Sequence, residues 1–133
     1  MQNLIDTLKK IENILCSLET ITNQEYKNLS DFNNNENILD FMKKKVLLKK
    51  YSKLNEDRIL FEKEYGIFLP YKNHYILYKN WTKIVKKCYL LKKLNIRNKI
   101  LINKKFYLNQ KFLELLPNYT ASVSYDAEGN LQN

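Results

Sequence analysis

The chain of 133 residues has only two glycines, two prolines, two cysteines and one histidine. Each scarcity excludes something. Turns draw on Gly and Pro, so few can be built, and a many-stranded sandwich or barrel does not fit. A Gly-rich phosphate loop is excluded on the same ground. Cys16 and Cys88 have neither metal-ligand spacing nor a disulfide framework, which fits a reducing cytosol. His74 has no spaced Cys, Asp or Glu, so no active site assembles; the expectation is a non-enzymatic protein without metal or cofactor. Apolar runs long enough for a transmembrane helix are missing. Asp6 interrupts the start where a signal peptide needs an unbroken apolar stretch, and a cytoplasmic location is expected. Arginine is scarce as well: Arg58 and Arg97 are two of 23 cations. Base readers and phosphate clamps lean on the arginine fork, so the net charge of +9 is weak ground for a nucleic-acid partner.

What the chain does have is helical periodicity. Hydrophobic residues make up 44%, enough to bury a core. Leu4, Leu8, Ile11, Leu15, Leu18, Thr22, Glu25 and Leu29 alternate steps of four and three, the seam of one long helix. Ile14 and Ile21 widen that seam, so this helix is expected to meet more than one neighbour. The Asx-rich stretch from Asp31 to Asn37 breaks the pattern. A second helix runs over about 36–65, regular at Leu47, Tyr51, Leu54, Arg58, Phe61 and Tyr65. Its register slips near Lys43, Lys44 and Lys45, which read as a solvated face. Gly66 and Pro70 punctuate it.

A third helix is expected over about 71–116. It carries one row through Trp81, Ile84, Cys88, Leu91, Asn95, Asn98, Ile102, Lys105, Asn109, Phe112 and Leu116. A second row, Leu94, Leu101, Leu108 and Leu115, runs beside it. Pro117 ends the helix. Residues 117–133 have no lysine and no periodicity, and read as a flexible tail. The fold expected is therefore all-α: an elongated antiparallel coiled-coil bundle of three long helices over 1–116, with a tail. Charge is uneven, at −2 over residues 1–34 and +11 over 71–116, so an acidic first helix should lie against a basic third.

The third helix is longer than the first, and part of it must overhang. Apolar rows on an overhang need a partner, a second copy or a fold-back to cover them. Asn95 and Asn98 have two readings: a register-setting polar layer, or side chains that recognise a partner helix. Tyr71, Tyr75, Tyr78 and Trp81 form an aromatic group that suits packing at a bundle end. Three function classes follow: binding of a helical partner by the overhang, a basic nucleic-acid-binding helical protein, or a structural coiled coil that dimerises.

The run from Leu94 to Ile102, LNIRNKILI, followed by a long amphipathic helix and the tail Ser124-Tyr125-Asp126-Ala127-Glu128-Gly129, resembles the FlgN family of flagellar export chaperones. The stretch from Leu8 to Ser30 is similar to that family's first helix. Lys99 stands where the family has Gly in an LNxxNG-type helix. The resemblance implies a chaperone for type III protein export in flagellum assembly. It would bind the C-terminal helical segments of the hook–filament junction proteins FlgK and FlgL and deliver them to the export gate protein FlhA. The cargo-binding residues implied are Leu94, Asn95, Asn98, Leu101, Ile102, Leu108, Phe112 and Leu115, and Tyr125 would dock on the gate. Without cargo a monomer is expected.

Overall fold

The computed structural model describes residues 1–31, 37–115, 124–125 and 131–132. Three helices account for most of them: α1 (Gln2–Ser30), α2 (Asn37–Tyr65) and α3 (Tyr75–Glu114). Two short strands, β1 (Ser124–Tyr125) and β2 (Leu131–Gln132), pair antiparallel, with Ser124 opposite Gln132 and Tyr125 opposite Leu131. Those four residues are the described part of the segment expected to be a flexible tail.

The α1 seam is buried along its whole length, from Leu4 to Leu29. α1 is the middle helix, packed against both α2 and α3. Cross-links fix the directions. Asn28 reaches Asp40, and Glu25 reaches Lys44, so α2 runs antiparallel to α1. Glu19 meets Lys87 and Thr22 meets Asn98, so α3 runs parallel to α1. This up-down-up order sets the acidic α1 beside the basic α3, as the charge distribution predicts. Glu19 pairs with Lys87, whose ammonium it holds above its ordinary pKa.

The apolar core comprises Leu4, Leu8, Ile11, Leu15 and Leu18 of α1, Leu77, Ile84 and Leu91 of α3, and Tyr71. Side chains of α2 and of the turn after it, including Leu47, Tyr51, Leu54, Phe61 and Ile67, pack on its edge. Each fully buried Leu or Ile contributes about 1.5–3 kcal/mol relative to exposure. The core is therefore built mainly by α1.

Two details of α2 and α3 depart from the periodicity. The register of α2 does not slip at Lys43–Lys45. Asp40 is buried and Lys44 half-buried, so the inward stripe continues through polar residues. Lys43 and Lys45 are exposed as expected, but Lys44 turns inward, its ammonium donating to Glu25 (3.3 Å) and Asn95 (2.9 Å). The second departure is the start of α3, which begins at Tyr75 rather than Tyr71. Gly66, at φ 66°, ends α2 in the left-handed region, and Ile67 N–H returns to Glu62 C=O at 3.1 Å. The Leu69–Pro70 peptide is cis, and Tyr71 itself has φ 64°. Two tight turns follow, Tyr71 N–H to Phe68 C=O and His74 N–H to Tyr71 C=O, both 2.9 Å. Tyr71 is thus outside the helix, yet its ring is buried and stands edge-on to Trp81 at 6.2 Å. Tyr75 and Tyr78 are exposed, so the aromatic group divides between core and surface.

Candidate functional site

The forty residues of α3 span about 60 Å, against about 44 Å for the twenty-nine of α1 or α2. The cross-links Lys87–Glu19 and Asn98–Thr22 put the end of α1 beside residues about 102–104 of α3. Lys44–Asn95 puts the start of α2 at about the same level. The last ten or so residues of α3 therefore extend beyond both companions.

The bundle's core closes before that point with a polar layer. Asn98 is 1% exposed, and its amide donates to Thr22 C=O and to Glu25, each at 2.8 Å. Glu25 also accepts from Lys44, which in turn reaches Asn95. One turn further along α1, Asn28 donates to Asp40 at 2.6 Å. Side chains from all three helices satisfy one another here, and the alternative to these bonds is a costly unpaired group. Of the two readings of Asn98, the structure shows the polar layer; this side chain is committed within the bundle. Asn95 lies at the exposed edge of the same layer.

Beyond the layer, α3 and the residue after it expose apolar side chains among lysines. Ile102 is 45%, Leu108 43% and Leu115 82% exposed. Ile100 and Tyr107, which the two sequence rows did not include, are exposed too. Leu94 and Leu101 are half-buried on the stripe that carries Lys87 and Arg97. Arg97 donates to Asn23 at 3.2 Å and covers the Tyr26 ring at 3.9 Å, so that stripe borders α1 before it runs past its end. Phe112 is part of α3, but its side chain lies outside the described residues, as does Leu116. Tyr125 is in β1, and the structure describes its backbone pairing alone.

A cleft leads into this end. α2 and α3 flank it and α1 forms its floor, with a volume of about 560 Å³. Leu15 and Leu18 are on the floor, while Leu48, Leu91, Ile96 and Lys99 line the sides. Lys99 is exposed on this edge and fills no core space. Cys88 and Tyr51 also line the cleft, and burial pushes both their pKa values up, so each stays protonated at neutral pH. Cys88 is a packing residue rather than a nucleophile. Among the described residues no group of three or more His, Cys, Asp or Glu could hold a metal ion. Nor is any helix among them long and apolar enough to cross a membrane.

The geometry defines a class: a three-helix rod whose longest helix carries an apolar face past its companions, suited to seating another helix. The family model described as "FlgN protein" matches residues 1–133. A flagella synthesis protein FlgN from Buchnera aphidicola subsp. Acyrthosiphon pisum is 54% identical, over 99% of each chain. A second, from Buchnera aphidicola subsp. Schizaphis graminum, is 39% identical over the full length of both. No solved structure matches the chain. The chain belongs to the FlgN family, whose members are flagellar export chaperones.

Proposed function

We propose that this chaperone works in the cytoplasm, where it holds the C-terminal helical segments of the junction proteins FlgK and FlgL and hands them to the export gate protein FlhA. The observation that supports this reading is the end of α3, left without α1 or α2 beside it, with apolar side chains exposed at Ile102, Leu108 and, just after the helix, Leu115. A cargo helix would lay its apolar face along that stripe, the helix-in-groove mode. Leu94 and Leu101 extend the stripe, Phe112 would add to it by its position in the sequence, Asn95 marks its inner edge, and Asn98 supports it from inside the bundle. Each anchor fully buried by cargo is worth about 1.5–3 kcal/mol before ordering costs. A few anchors give micromolar affinity, on the order of −8 kcal/mol, which lets cargo be released to the gate. Tyr125 would make the gate contact, since a tyrosine offers a broad apolar face at low entropic cost.

Co-purification tests it. FlgK and FlgL C-terminal segments should come with the wild-type chain and be lost with Leu108→Asp, whose side chain lies beyond α1 and can change without disturbing the core. Leu101→Asp should act likewise, with a small loss of stability because Leu101 is half-buried. Equal recovery of cargo by both variants contradicts the proposal. Tyr125→Ala should spare cargo and weaken capture by the cytoplasmic domain of FlhA; loss of both together contradicts the division of labour.

A further inference from the structure

A second helix-sized groove lies on the side of α1 and α2 away from α3. Two hollows of about 560 and 540 Å³ open along this helix pair. The first lies at Ile21, Met42, Val46 and Leu47, and the second at Ile14 and Leu54. Ile14 and Ile21 are seven residues apart on α1, as are Leu47 and Leu54 on α2. Because the two helices are antiparallel, these pairs face each other two turns apart, and the two hollows lie in line along one groove between the helices. Its lining on α1, from Lys10 to Ile21, covers about 17 Å, or three turns. Val46 is 54% and Met42 58% exposed, so the groove has an open apolar wall as well as an apolar floor.

The rim is of one sign. Lys10, Lys43, Lys49, Lys50 and Lys53 line the two hollows, and no Asp or Glu does. Lys53 pairs with Asp57 at 3.2 Å. The other four have no carboxylate partner among the described residues. An apolar trough three turns long between antiparallel helices fits one more helix, and its lysines select a helix with acidic flanks.

We propose that this groove is a second docking site, separate from the cargo face of α3, and that its occupant is an amphipathic partner helix with acidic residues flanking its apolar stripe, above all on the side towards α2. The occupant's Leu or Ile residues, spaced three or four apart, seat against Ile14, Ile21, Val46 and Leu54. Its carboxylates meet Lys43, Lys49 and Lys50. Salt weakens the complex because the charged rim is exposed.

The test uses the full chain and a labelled synthetic helical peptide, with Leu at i, i+3, i+7 and i+10 and Glu on both flanks, followed by fluorescence anisotropy. Binding should weaken at least tenfold with Val46→Asp and severalfold with Lys43→Glu/Lys50→Glu. The lysine double variant should also flatten the salt dependence. Leu108→Asp, on the other face, should leave peptide binding unchanged. A control peptide with Lys in place of the Glu flanks should bind at least tenfold more weakly. Equal binding by Val46→Asp with its circular dichroism intact overturns the proposal, as does equal binding of the two peptides. So does a dimer seen by sedimentation that Val46→Asp dissociates, which would make a second copy the occupant. Binding to phosphatidylglycerol vesicles with none to the acidic peptide would assign the groove to a lipid surface instead.

Discussion

Asn98 shows how one side chain can set the end of a core. It is among the most buried residues of the molecule, and its amide satisfies both a backbone carbonyl and the Glu25 carboxylate. Asn98→Ala removes both bonds, together with the one its Oδ1 accepts from Arg97 Nε at 3.0 Å, and leaves Glu25 less well met, so urea unfolding should show a loss of about 1–3 kcal/mol. Tyr71 is the opposite case. Its ring is buried against Trp81, while its hydroxyl makes no hydrogen bond among the described residues. Burial, with Glu62 nearby, pushes its pKa up to about 12 from the usual 10.0. The fold therefore favours the neutral phenol. That preference is fully felt below pH 10 and is lost as pH rises towards about 12, where the unfolded chain ionises first. Tyr71→Phe should unfold at a somewhat higher urea concentration than wild type at pH 7, because the unbonded hydroxyl is gone, and the gap should widen between pH 10 and 12. Tyr71→Ala should cost about 3–5 kcal/mol at either pH, because the packed ring is gone.

At the scale of the element, α1 could be read almost completely from sequence: every member of its seam is buried, including Thr22 and Glu25. A strict alternation of steps survives polar substitutions when one helix meets two neighbours, as the position of Ile14 and Ile21 beside the seam implies. α2 was harder to read because its inward positions at Asp40 and Lys44 are charged. Apolar periodicity cannot mark such positions, and their partners, Asn28 and Glu25, are distant in sequence. The start of α3 was missed because the spacing of Tyr71 to Trp81 is helical, whereas the backbone at Tyr71 has a positive φ. The double apolar row of α3 was visible as a pattern, but the point where its neighbours end depends on register between helices. Ile100 and Tyr107 lay off both rows and carried no signal. Gly66 is a local determinant that sequence did reveal. A Cβ there would meet no atom within 4 Å, so its substitution tests backbone conformation alone. Gly66→Ala should lower stability by about 1–2 kcal/mol in urea unfolding, from the left-handed φ.

For the whole molecule, α1 is the organising member. It supplies half of the apolar core, the acids that face basic α3, the floor of the α2–α3 cleft and one wall of the lysine-rimmed groove. The consequence is a bundle with one packed end and one polar end, and the longest helix projects from the polar end. Sedimentation at micromolar concentration should give a monomer without cargo; a dimer dissociated by Leu108→Asp would mean that the projecting face serves self-association. The central claim is that the cargo helix covers the part of α3 beyond Asn98. Hydrogen–deuterium exchange of the chain with and without a FlgK C-terminal segment tests this most directly. Binding should slow exchange over residues about 99–114 while amides of α1 near Leu8 and Ile11 keep their rates. Protection confined to the N-terminal half of α3, with none past Asn98, would contradict the account.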